Sequence, residues 1–165
     1  MSGSTLDVPP NAERLRIAIG PRADYYLRRW REMDEKAGKV SWNWAACFLN
    51  VFWFAYRKMW APMAVLGLIY VVTGPLLDPT NKTVFKFTVL TLIGLSFVTG
   101  AYGNALYRAR IERITSERAA VDGDEAKARL AARGGVSVPA VLGALVVLGV
   151  LSALAGMIPA LLGHR

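Results

Sequence analysis

Three long stretches of this chain carry no charge, and no other feature restricts its fold so tightly. Trp60 to Leu77 runs for 18 residues, Phe87 to Leu106 for 20 and Val136 to Leu162 for 27. As helices rising ~1.5 Å per residue they would measure about 27, 30 and 40 Å, against a hydrocarbon core of about 30 Å. Core helices of a soluble bundle keep a polar face, and these have none. The pattern predicts an all-α integral membrane protein with three transmembrane helices. Gly74-Pro75 is expected to fray the first, while Pro139 and Pro159 lie near the ends of the third, which can tilt.

Charge sets the orientation. Lys and Arg number 20 against 12 Asp and Glu, a formal net charge of +8, and the excess follows the span boundaries. Ten positive residues precede the first span, with Arg57 and Lys58 at its edge, and seven lie between Tyr107 and Gly135. Only Lys82, Lys86 and Arg165 fall on the other side. This asymmetry predicts a multi-pass protein of a plasma membrane with its N-terminus in the cytoplasm and its C-terminus outside. Orientation alone accounts for the basic surplus, so no nucleic-acid partner is expected. The first residues lack a basic region followed by an apolar one, so the first span would serve as an uncleaved anchor.

The remaining segments divide by composition. Residues 1–19 read as a flexible cytoplasmic tail, with a short helical stretch from Glu13 to Ile19. Residues 20–106 hold an amphipathic helix, an aromatic segment and two spans. Residues 107–135 form a cytoplasmic helical linker, and residues 136–165 the third span with a short outward end. Gly20-Pro21 is expected to open the amphipathic helix and Gly38 to stop it. Tyr26, Leu27, Trp30 and Met33 share one face of it, beside Arg28, Arg29 and Arg31. Such a helix either lies on the anionic inner leaflet or packs on the rest of the protein. In the linker Tyr107, Ile111, Ile114 and Val121 continue one helical face, and Asp122 with Glu125 has capping-box spacing. Asp122-Gly-Asp lacks the further ligands of a calcium loop.

Ser41 to Trp60 contains four of the five tryptophans, Trp42, Trp44, Trp53 and Trp60, with Phe48, Phe52, Phe54 and Tyr56. Its uncharged core, Trp42 to Tyr56, would be about 22 Å long as a helix, too short to cross comfortably. Indole and phenol rings gather at headgroup level because they join an apolar body to a polar edge. The segment reads as an aromatic interfacial or re-entrant helix, with Asn43 and Asn50 satisfying freed backbone groups. A full fourth span would scatter the positive residues over both sides.

Little chemistry is visible. No span contains Asp, Glu, Lys, Arg or His, the groups that ion-coupled transporters place inside the bilayer. There is no phosphate-binding glycine loop, nucleotide fingerprint or HExxH pair. One Cys (Cys47) and one His (His164) allow neither a disulfide framework nor a Cys/His metal site. No catalytic residue, enzyme activity, metal or cofactor is expected. The spans do offer small residues for helix packing: Ser96, Gly100 and Asn104 in the second, Gly149, Ala153 and Gly156 in the third. These would join the spans of one chain or bind a partner.

GPRADYYLRRWREM (Gly20 to Met33), SWNWAACFLNVFWFAYRKMW (Ser41 to Trp60) and NALYRARIERI (Asn104 to Ile114) resemble small bacterial inner-membrane proteins grouped as a domain of unknown function. The hallmark of that group is Asn-Trp-Ala-Ala-Phe-Phe followed by Trp and Tyr-Arg-Lys-Met. Here it reads Asn43-Trp44-Ala45-Ala46-Cys47-Phe48, then Trp53 and Tyr56-Arg57-Lys58-Met59, with Cys47 in place of an aromatic ring. Asn104 and Tyr107 also fit, whereas Ala109 and Arg110 stand where a His is expected. The resemblance implies a bacterial inner-membrane location and brings no activity.

The role expected from these features is a non-enzymatic scaffold or accessory subunit. It would engage membrane lipids of the anionic inner leaflet, a membrane-protein partner or a second copy of itself. Tyr26, Trp30, Trp42, Asn43, Trp44, Trp53, Tyr56, Arg57 and Lys58 are the candidate contact residues. The alternative is an oligomeric pore or transporter subunit, with Ser96, Thr99, Gly100 and Asn104 lining a polar path between chains.

Overall fold

The computed structural model describes residues 10–38, 40–116 and 123–162, and all regular structure among them is helical. The first helix, α1 (Pro10–Ile19), contains the short helical stretch expected from Glu13 to Ile19 and begins three residues earlier. Ala18 and Ile19 are fully buried, and Gly20, at φ +78°, turns the chain out of the helix with its N–H on the Arg16 carbonyl at 2.9 Å. That left-handed turn is where glycine has its advantage. Gly20 therefore closes α1, and the next helix, α2 (Ala23–Glu35), opens after Pro21-Arg22.

The ring-bearing face of α2 turns inward: Ala23, Tyr26, Trp30 and Met33 are all buried. Of the two fates expected for this helix, packing on the protein is the one adopted. Its end is a Schellman turn, with the Gly38 N–H on the Met33 carbonyl (3.0 Å) and the Ala37 N–H on that of Asp34 (3.1 Å). Ala37, at φ +46°, holds the left-handed position expected of Gly38, which follows it.

Two short helices come next, α3 (Trp44–Leu49) and α4 (Val51–Tyr56), then α5 (Trp60–Thr73), a 3-10 turn at Gly74–Leu76 and α6 (Lys82–Ser116). The chain ends in α7 (Asp124–Arg133) and α8 (Val138–Leu162). Helix α7 starts behind Gly123, which makes no side-chain cap. Asp122, Val121 and His164 lie outside the described residues.

Two helices, α6 and α8, are long and apolar enough to cross a membrane, not three. With 35 and 25 residues they measure about 52 and 37 Å. The third candidate is shorter because of its punctuation. Pro75 has no N–H and its ring collides with the preceding turn, so α5 stops after 14 residues, about 21 Å. The chain still covers the distance, since Arg57 sits beside Tyr107 near one end of α6 while Lys82 begins the other. Residues 60–81 must therefore run the apolar length of α6 in the opposite direction. Helix α8 leaves from the same end as α5 and lies along it, with Gly67 against Leu148.

The molecule divides into two zones. One is a packed cap built from α1, α2, α4, α7 and the last turns of α6, with Ile19, Tyr26, Trp30, Phe54, Tyr107, Ile111 and Leu130 in its core. The other comprises α5, α8 and the first part of α6, where Phe87, Leu90, Phe97, Leu142, Val146 and Val150 stand exposed. Only 17% of the most apolar stretch of α6, and 6% of that in α8, is buried inside the protein.

Candidate functional site

The aromatic segment is a helical hairpin. Asn43, with extended backbone, caps α3 by accepting the Ala46 N–H at 3.0 Å. Asn50, at φ +43° and ψ −115°, breaks the helix between α3 and α4. Asn reaches such positive φ more readily than other side chains do. A second Schellman turn closes α4, with Met59 N–H on Phe54 carbonyl (2.8 Å) and Lys58 N–H on Ala55 carbonyl (2.9 Å). Lys58 takes the left-handed position there, at φ +55°.

Polar groups dock the hairpin on α6. Backbone N–H groups of Ser41 and Asn43 donate to the Ala101 and Gly100 carbonyls at 3.1 and 2.8 Å. The Asn43 amide donates to the Asn104 side-chain oxygen at 2.8 Å, and the Asn104 amide donates to Ser41 Oγ at 3.0 Å. Further along, Thr99 Oγ1 donates to the Ala46 carbonyl (3.3 Å) and the Asn50 amide to Ser96 Oγ (3.1 Å). Helix α6 has no side chains at Gly100 and Gly103, where a Cβ would come within 2.8 Å of Cys47 Cβ and 2.7 Å of Ala46 Cβ. Ser96, Gly100 and Asn104 thus form one face that serves the chain's own hairpin.

The contacts also fix how far the hairpin travels. It starts level with Asn104, turns level with Ser96 and returns level with Tyr107. Eight residues of α6 correspond to about 12 Å of depth. Both ends lie at the cap, so residues 42–56 do not run from one end of α6 to the other.

At the hairpin's exit Arg57 is 3% exposed. Its terminal nitrogens donate to Tyr26 Oη (3.0 Å) and Tyr107 Oη (3.3 Å). The guanidinium carbon lies 4.6 and 4.9 Å from the centres of the same two rings, close enough for cation–π attraction. Trp30 and Trp53 complete the cluster, with ring centres 6.0 and 6.1 Å from that of Tyr107. Tyr26, Trp30, Trp53 and Arg57 are therefore interior residues, which corrects their expected role as membrane or partner contacts. Asn43 is likewise buried and structural.

Other candidates do face outward. Trp44 and Phe48 are 62% and 76% exposed and stack with centres 5.6 Å apart, and half-buried Trp42 meets the edge of Trp44. Tyr56 and Lys58 are half-buried, and Lys58 Nζ donates to the Ala132 carbonyl at 2.7 Å. Gly149, Ala153 and Gly156 stay exposed on α8, and nothing lies within 4 Å of where a Cβ would stand on either glycine. The small-residue faces of α6 and α8 are not brought together.

Several structural residues escape a reading of the sequence. Arg108 ties α2 to α6 through Asp34 (2.5 Å) and also bonds Glu112 (2.6 Å). Its hydrogen bond holds the exposed Asp34 carboxyl below the usual carboxylate range. Only the Arg108–Glu112 spacing is visible in sequence. Gly134 abuts α1 so closely that a Cβ would overlap the Ala18 carbonyl. The same carbonyl accepts the Gly135 N–H at 2.7 Å, and the Tyr56 carbonyl accepts that of Ser137 at 2.9 Å.

Among the described residues, no group of three or more His, Cys, Asp or Glu side chains is placed to hold a metal ion. No curated protein and no solved structure matches the chain. A family model does match residues 12–113, from within α1 almost to the end of α6, and so includes the whole docked hairpin. That is more than half of the sequence, and the chain belongs to this family, DUF2628, whose members are proteins of unknown function.

Proposed function

We propose that the chain is a non-enzymatic multi-pass protein of the bacterial plasma membrane that acts as a scaffold or accessory subunit. Its cap and N-terminus face the cytoplasm, and α3 and α4 form a re-entrant hairpin. The observation that carries this reading is the division of the surface. A soluble protein does not leave the length of two helices apolar and unburied, whereas a bilayer accepts such a surface. The basic segments collect at the cap end, as the cytoplasmic side requires. At membrane depth, interrupted helices are tolerated where protein satisfies their backbone, and α6 does that for the hairpin.

The pore reading loses its polar path, because Ser96, Thr99, Gly100 and Asn104 are engaged by the hairpin. Among the aromatic candidates, the Trp44–Phe48 stack is the surface open to a partner within the membrane. The test is native mass of the full chain, expressed at native level and extracted in polymer discs. We expect a second protein in fixed stoichiometry, lost in the Trp44→Ala/Phe48→Ala variant and kept in Lys82→Gln/Lys86→Gln. A homo-oligomer alone, or equal loss in both variants, overturns the scaffold reading.

A further inference from the structure

Where the hairpin turns into α5, four cations from three parts of the chain surround one cavity. Its volume is about 650 Å³, and Lys58, Arg110, Arg113 and Arg133 line it together with Met59, Trp60, Leu106 and Ile114. None of the described lining residues is Asp or Glu. Two of the cations are positioned by carbonyls at the end of α7, Lys58 on Ala132 and Arg110 on Arg133 (3.2 Å). Arg110 Nε is buried with no hydrogen-bond partner among the described residues. Arg113 has an interaction partner of its own, whereas gathering Lys58, Arg110 and Arg133 costs free energy that an anion would offset.

Lys58 enters the cavity from the left-handed position of a Schellman turn, at φ +55°. Trp60 then extends the site, because it lines both this cavity and an apolar groove of about 540 Å³ between α5 and α8. Met63, Leu68, Val71, Ala144 and Val147 are among its walls. The polar end lies at the cap and the groove runs along the exposed apolar helices, so the two together have the shape and polarity of an amphiphile.

We propose that the cavity of Lys58, Arg110 and Arg133 binds the phosphate headgroup of an anionic diacyl phospholipid, with one acyl chain in the α5–α8 groove. This rests on the membrane reading above. Basic pockets at the cytoplasmic ends of membrane helices suit such headgroups. A free phosphate would satisfy the cations and leave the groove empty.

The test uses the full-length protein in detergent, with dioleoyl phosphatidylglycerol, dioleoyl phosphatidylcholine and sn-glycerol 3-phosphate as probes, and bound ligand counted by native mass spectrometry. We expect phosphatidylglycerol to be retained over phosphatidylcholine, and glycerol 3-phosphate not to compete at equal concentration. Lys58→Gly keeps the turn and removes the cation, and Arg110→Gln removes the second. Retention should fall roughly fivefold for each cation lost. Gly143→Leu fills the groove from a position with open space around it, and should also lower retention. Equal retention of both lipids, full competition by glycerol 3-phosphate, or no loss in the cavity variants overturns the proposal. A chain that stays monodisperse without detergent would overturn the membrane reading instead.

Discussion

Arg57 is where the chain's chemistry is most concentrated. Its charge is enclosed by Tyr26, Tyr56 and Tyr107, and its hydrogen bonds go to two phenol oxygens rather than to a carboxylate. A planar guanidinium can lie over rings and donate sideways at once, which an ammonium cannot. Arg57→Lys is therefore expected to cost about 2 kcal/mol, and Tyr26→Phe or Tyr107→Phe about 1.5 kcal/mol each. Thermal unfolding in detergent checks this, and an Arg57→Lys variant as stable as the parent would disprove it. Sequence alone could not find this cluster. Aromatic rings next to arginine have the same composition whether they anchor a chain at headgroups or enclose a buried cation. Tyr107 is visible as a match to the family hallmark, but its place above Arg57 requires the hairpin to fold back.

Among the elements, the contact between α3 and α6 depends on two absent side chains. The spacing of Ser96, Gly100 and Asn104 marks a packing face in the sequence, and its partner is the aromatic segment. The break at Asn50 is not legible there, because the residues around it fit one continuous helix and only the backbone turn divides them. Cys47 reports on this contact, being buried against Gly100 and the only cysteine in the chain. Gly103→Leu would push the hairpin away, at a cost of roughly 1–3 kcal/mol for overpacking. Cys47 should then react rapidly with a maleimide, whereas the parent protein and Gly149→Leu remain protected. Protection in Gly103→Leu would show that the hairpin does not depend on this approach.

Across the whole molecule, the uncharged runs are enough to identify an all-helical chain with membrane-length elements. They overstate α5, because the fraying expected at Gly74-Pro75 is a full stop to the α-helix. They also leave the cap undescribed. Its packing comes from short helices far apart in sequence, and local periodicity carries no information about which of them meet. Orientation can be tested on the assembled protein in a Cys47→Ala background. A thiol from Thr80→Cys should react with an impermeant maleimide in intact cells, and one from Ser116→Cys only after permeabilisation. The opposite pattern would reverse the topology.

The Ala18 carbonyl and the Gly134-Gly135 backbone that closes over it are separated by more than a hundred residues. During synthesis at ~5–20 residues per second, α1 therefore exists for roughly 6–23 s before its counterpart is made. For that interval the Ile19 end of α1 lacks part of its covering, and the cap closes only when α8 is about to follow. Assembly of the oldest part of the chain thus waits for one of the youngest.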